Sequence, residues 1–100
     1  MTKLVDLDGT FVRHTSDGNF EEVAEISRAN GLLFDCPLCG RHSILCWDHS
    51  VPPDVDPKPG RWTISGTSIA DVTLQPSVNL DTRPDAVCKW HGWVRNGDAT

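Results

Sequence analysis

The spacing of cysteine and histidine constrains this chain more than any other feature. Cys36-x-x-Cys39 and Cys88-x-x-His91 form two pairs with the same two-residue gap, and 48 residues separate them. Such a gap lets both side chains of a pair turn toward one ion, and a closed tetrahedral zinc site uses four N and S donors. The sequence therefore predicts a zinc-knuckle pair in which Cys36, Cys39, Cys88 and His91 bind one structural Zn²⁺.

The length of the chain adds to this argument. A chain of 100 residues is one small domain, and a domain of this size removes only about two thirds of its surface from water. A bound metal stabilises such a marginal core because it binds only the folded chain. We therefore expect residues 1–100 to form a single zinc-binding domain.

The remaining cysteines and histidines leave two alternatives open. The four cysteines could form two disulfides in a secreted protein, but Asp6 interrupts the N-terminal segment before a signal-peptide core could form. We therefore expect a cytoplasmic protein and a metal site. His42 follows Cys39 by three residues and is an alternative ligand, whereas Cys46 lies in an apolar stretch and is expected to be a buried hydrophobic residue.

The pattern of apolar residues predicts a mainly β fold of the α+β class, a small antiparallel sheet or sandwich with one short helix near residues 20–30. Asn19 is the expected cap of this helix, and Gly31 its stop. A hairpin is predicted over residues 1–18, with its turn at Asp8-Gly9. Strands are predicted at 32–34, 43–47, 62–65, 72–74, 77–80, 87–91 and 92–95, and Asn96-Gly97 is a turn signal.

Two polar or proline-rich segments are predicted loops, at 51–60 and 81–86, and the first of them holds four of the seven prolines. Pro76 and Ser77 predict a structural corner between strands rather than a catalytic serine, because the sequence assigns no histidine or aspartate partner to Ser77.

Net charge limits the classes of partner. The formal charge of −5 makes nucleic acid an unlikely partner, since a phosphate-backbone binder needs a basic surface. No apolar run approaches the roughly 20 residues that span a bilayer, so a membrane role is not expected.

The segment Cys88-Lys89-Trp90-His91-Gly92-Trp93 resembles the second half of a Rieske iron–sulfur motif. This resemblance implies a 2Fe-2S cluster and electron transfer. The first half of a Rieske motif is Cys-x-His, and Cys36-x-x-Cys39 stands in its place here. The iron–sulfur protein is therefore kept as an alternative to zinc.

Four motifs between residues 31 and 97 resemble a family of small uncharacterised phage and prophage proteins, which often carry the misleading label "ammonia monooxygenase". They are Cys36-Pro37-x-Cys39-Gly40, Trp62-x-Ile64-Ser65-Gly66, Thr73-Leu74-x-Pro76-Ser77-Val78 and Cys88-x-x-His91-x-x-Val94-x-x-Gly97. The resemblance implies a β-rich metal-binding fold and a bacterial or phage source, and it supplies no activity. Residues 1–30 lie outside it and are a possible family-specific addition.

These observations favour a non-enzymatic, zinc-stabilised module that binds a host or phage protein, because a closed zinc site leaves no coordination position for a substrate. The rival hypotheses are the iron–sulfur protein and a zinc hydrolase. In the hydrolase, water replaces one of the four ligands, and Asp48 or His49 acts as the base.

Overall fold

The computed structural model describes residues 2–16, 19–57, 60–79 and 89–100. Within these ranges the chain forms short β-strands and two 3-10 helices. The helices span Leu4–Leu7 and Ile26–Arg28. The strands are β1 (Thr2–Lys3), β2 (Thr10–His14), β3 (Phe20–Val23), β4 (Gly31–Asp35), β5 (Ser43–Trp47), β6 (Thr63–Ser65), β7 (Thr73–Gln75), β8 (Val78–Asn79), β9 (His91–Gly92), β10 (Val94–Arg95) and β11 (Asp98–Ala99). The prediction of a mainly β fold built from small antiparallel sheets is confirmed.

The largest sheet has the strand order β3-β2-β4-β5, and all of its pairs are antiparallel. Side chains on its strands alternate between two apolar clusters, as the period of two in a strand requires. Leu32, Phe34 and Cys46 enter the main core, while Val12 and Trp47 pack with Val51 on the other face. Both faces of this sheet are therefore covered.

Three smaller sheets complete the fold. β6 pairs with β7, β8 pairs with β9, and β11 lies between β1 and β10. The predicted turn at Asn96-Gly97 joins β10 to β11, and both of its residues have positive φ, 49° and 77°. Gly97 also approaches the backbone closely, since a Cβ there would lie 2.2 Å from the carbonyl oxygen of Ala70.

The prediction of a short helix near residues 20–30 is wrong. Phe20–Val23 forms strand β3, and only Ile26–Arg28 is helical, as one 3-10 turn. A helix of this length is marginal in water without tertiary support, whereas pairing with β2 satisfies the backbone of residues 20–23. Phe20 also packs edge-on against the ring of Trp47, with centroids 6.1 Å apart.

The prediction of a hairpin over residues 1–18 is also wrong, although the chain does turn at the predicted position, Asp8-Gly9. β1 pairs with β11 rather than with β2. Residues Leu4–Leu7 form a 3-10 helix that ends at Asp8, which adopts φ 51°. The strand positions predicted at residue 80 and at 87–88, and the loop predicted at 81–86, lie outside the described residues.

One arginine organises the proline-rich segment after β5. The Arg61 guanidinium donates hydrogen bonds to the carbonyl oxygens of Val51, Val55 and Pro57 at 2.8–2.9 Å. Burial lowers the pKa of Arg61, and the nearby carboxylates of Asp54 and Asp48 act in the opposite direction. Side-chain donors therefore replace strand pairing in this segment, which is the loop that its prolines predict.

No helix in the described part of the chain is long and apolar enough to cross a membrane.

Candidate active site and metal centre

The tip of the β4–β5 hairpin brings together three potential metal ligands. The backbone N–H of Cys36 donates to the carbonyl of His42 across the base of this tip, and the N–H of Gly40 donates back to the carbonyl of Cys36, both at 2.9 Å. Gly40 has φ +66°, a conformation in which glycine avoids the steric cost of a Cβ. The chain thus folds tightly over residues 36–42, and this fold brings the side chains of Cys36, Cys39 and His42 close together.

Donor atoms of Cys36, Cys39 and His42 all lie within 4.8 Å of one another. The Cys39 Sγ atom is 3.2 Å from His42 Nδ1. Sulfur and nitrogen ligands of one tetrahedral zinc ion would be about 3.5 Å apart, given their usual bond lengths. None of the three described cysteines is in a disulfide. Two thiols and an imidazole at this spacing suit a soft divalent metal ion.

The four predicted ligands have different outcomes. Cys36 and Cys39 lie in this group, and His42, the alternative ligand, joins them. Cys88 lies outside the described residues. His91 is not a member of the group, and its ring contacts Ser77 instead. The assignment of Cys88 and His91 as metal ligands stays a prediction.

The other candidate residues from the sequence lie elsewhere. Cys46 is fully buried in the main core, and burial raises the pKa of its thiol far above the ordinary value. It is therefore the buried hydrophobic residue that the sequence predicts. Asp48 accepts a hydrogen bond from the Ser50 N–H at 2.9 Å, and His49 is exposed. Among the described residues, neither belongs to the group of metal donors.

A second polar contact joins the serine of the Pro76-Ser77 corner to a histidine. The Ser77 Oγ atom lies 3.2 Å from the Nε2 atom of His91. Pairing of β8 with β9 creates this contact, because it sets Val78 opposite Gly92 just beyond the serine. The Trp62 indole N–H donates to the carbonyl of Ser77 at 3.3 Å and fixes the backbone at the corner.

Tight packing fixes the strand that carries His91. A Cβ on Gly92 would lie 2.1 Å from the Thr100 carbonyl oxygen and 2.6 Å from the Trp90 ring, so only glycine fits there. Trp90 is itself buried and packs edge-on against Phe34 of β4, with centroids 6.2 Å apart. The hairpin that carries the metal donors therefore supports the strand that carries His91.

A serine hydroxyl beside an imidazole nitrogen is the arrangement of a nucleophile and its general base. A separation of 3.2 Å is at the outer edge of hydrogen-bond reach, as is common in active sites without substrate. Both groups are accessible, since His91 is exposed and Ser77 is half-buried. The contact can therefore support acyl transfer on a substrate that approaches from solvent.

Sequence reasoning missed this pair. Ser77 is the first residue of the predicted strand 77–80, and His91 is the last residue of the predicted strand 87–91. Strand pairing is a long-range property, and local sequence patterns do not predict it when a polar segment separates the two strands.

Comparison with known proteins is consistent with a serine-based site. No curated protein and no solved structure matches the chain. One family matches residues 8–100, nearly the whole chain, and it is described as the bacterial ubiquitination-like system serine protease, BubE. This match does not test the resemblance to phage proteins, which stays a prediction. The chain belongs to the BubE family.

Proposed function

We propose that this protein is a serine protease of a bacterial ubiquitination-like system, with Ser77 as the nucleophile and His91 as the general base. The 3.2 Å contact between Ser77 Oγ and His91 Nε2 carries the proposal. The description of the family, which names a serine protease, also supports it.

The reaction follows from the roles of the two side chains. As Ser77 Oγ attacks the carbonyl carbon of the scissile bond, His91 Nε2 accepts its proton, and then transfers that proton to the leaving amine. The acyl group stays on Ser77 as an ester. A water molecule then attacks the ester while His91 accepts the water proton and returns it to Ser77 Oγ. One peptide or isopeptide bond is thus exchanged for a carboxylate and an amine.

The partner we propose is a ubiquitin-like protein of the same system, or a conjugate of it. The exposed His91 and the half-buried Ser77 favour an extended segment of a protein substrate over a small molecule enclosed in a cavity. The protein-binding role expected from the sequence is then part of the activity, because a protease must bind its protein substrate.

We further propose that the metal is a structural zinc held by Cys36, Cys39 and His42, with Cys88 retained from the sequence as the predicted fourth ligand. The tight hairpin tip and the soft donor set support this ligand group. A Rieske cluster needs two histidines on one iron, and the described donor group offers one, so the chemistry favours zinc. Bound zinc would hold the hairpin closed and take no part in bond cleavage.

Incubation of the protein with a reporter fused to the C-terminus of the ubiquitin-like protein, followed by mass spectrometry of the products, tests the activity. We expect cleavage by the wild type, and a loss of at least about 10³-fold in rate for both Ser77→Ala and His91→Ala. Ser65→Ala, which changes an exposed serine on β6, is the matched control and should cleave normally. Normal cleavage by Ser77→Ala would refute the proposal.

A further inference from the structure

Strand pairing places a third polar side chain beside the serine and the histidine. Asn79 is the direct cross-strand partner of His91 in the antiparallel β8–β9 pair. Directly opposed residues project from the same face of a sheet, with Cβ atoms about 4.5–5.5 Å apart. Ser77 precedes Asn79 by two residues, and the buried Val78 between them faces the core. Ser77, Asn79 and His91 therefore share one face.

The imidazole of His91 has one nitrogen left to be oriented. Nε2 faces Ser77 Oγ, so Nδ1 lies on the other edge of the ring. A base can accept the serine proton at Nε2 only when the ring proton is on Nδ1, and an acceptor at Nδ1 holds both this tautomer and the ring orientation.

The described residues offer no carboxylate for this task. Within the described ranges, no Asp or Glu oxygen lies within 4.0 Å of a His91 nitrogen, since the one ion pair found there joins Arg13 and Glu21. The carboxamide oxygen of Asn79 is an acceptor of suitable chemistry, and Asn79 stands directly opposite His91 in the register of the strand pair.

We propose that Asn79 is the positioning residue of this site: its Oδ1 accepts a hydrogen bond from His91 Nδ1–H and holds the imidazole for proton transfer from Ser77. This inference rests on the proposed function. Asn79 acts through His91 and does not touch the reacting bond, so its loss slows the chemical step and leaves substrate binding intact.

The test measures labelling of Ser77 by a fluorophosphonate probe, which separates the maximal rate of phosphonylation, kinact, from the binding constant, KI. Asn79→Leu keeps the size of the side chain and removes the acceptor, whereas Asn79→Asp keeps an acceptor oxygen. We expect Asn79→Leu to lower kinact at least about tenfold with KI within about twofold, and Asn79→Asp to stay within about threefold of the wild type. Asn19→Leu is the control for the same substitution at another exposed asparagine.

Three results would overturn the role of Asn79: a wild-type kinact in Asn79→Leu, an equal loss in Asn79→Asp, or a change confined to KI. Circular dichroism checks the fold of each variant, and Asn79→Ala replaces Asn79→Leu if the latter does not fold. Failure of the wild type to label, or equal labelling of Ser77→Ala, would instead overturn the proposed function and this inference with it.

Discussion

Two cysteines of this chain allow metal binding to be separated from core packing. Cys39 is half-buried at the hairpin tip, with its Sγ 3.2 Å from His42 Nδ1. Cys46 lies four residues after His42 on β5 and is 0% exposed in the main core. We predict that Cys39→Ser abolishes zinc binding, and that Cys46→Ser leaves it intact.

Both substitutions should lower the melting temperature, for different reasons. Zinc at a hundred times its dissociation constant stabilises the folded state by about 2.7 kcal/mol, which corresponds to roughly 10–20 °C for a domain of this size. Cys39→Ser loses this contribution. Cys46→Ser places a hydroxyl in an apolar site, at a cost of about 1–3 kcal/mol or roughly 5–20 °C. The melting temperature alone therefore does not separate the two effects.

A chelator separates them. Thermal unfolding is followed with zinc present and after removal with a strong chelator, and elemental analysis gives the zinc content per chain. With chelator, the wild type should melt at the temperature of Cys39→Ser, while the deficit of Cys46→Ser relative to the wild type persists. Full zinc occupancy in Cys39→Ser, or loss of zinc from Cys46→Ser, would refute the proposed ligand group.

Three further predictions concern other parts of the fold. Gly92→Ala should destabilise the protein by about 1–3 kcal/mol in chemical denaturation and slow the cleavage reaction. The reason is that the new Cβ would lie 2.1 Å from the Thr100 carbonyl oxygen and displace the strand of His91. A variant with wild-type stability and activity would contradict the packing of this strand. Hydrogen bonds from the Thr67 side chain and from the Ser68 and Thr67 N–H groups lower the pKa of Asp71 in the folded protein. The ionised carboxylate therefore stabilises the fold at pH values above its unfolded pKa of about 3.9. This contribution is lost as the pH falls through the lower pKa of the folded state. Asp71→Asn should therefore lower the melting temperature at pH 7, and this deficit should narrow as the pH falls below about 4; a deficit independent of pH would show that the charge is not responsible. Arg61→Met should cost about 2 kcal/mol and increase proteolysis within residues 51–57, because three carbonyls lose a charged donor; proteolysis at the wild-type rate would contradict this role.

Local patterns predicted the strands well and their partners poorly. β5 has the predicted bounds, 43–47, and Asn96-Gly97 forms the predicted turn, since both follow from residues adjacent in sequence. Residues 20–23 form a strand because their backbone groups pair with those of β2. The local sequence pattern does not predict this pairing. β1 likewise pairs with β11, at the other end of the described chain.

The same difference between local and long-range contacts applies to the residues of the candidate site. Cys36 and Cys39 could be placed together from their spacing, because two residues separate them. His42 was harder to choose, since a matching pair further along the chain competed with it. The contact of Ser77 with His91 depends on the β8–β9 pairing, so the sequence favoured a structural corner there.

The central claim is that Ser77 attacks and His91 activates it, and the location of an acyl group tests this most directly. The protein is incubated with p-nitrophenyl acetate, quenched in acid, digested and mapped by tandem mass spectrometry. Acetylation of Ser77 in the wild type, and its near absence in His91→Ala, is the result we predict. Acetylation of Ser77 at the same rate in His91→Ala, or no adduct on Ser77 in the wild type, would contradict the account.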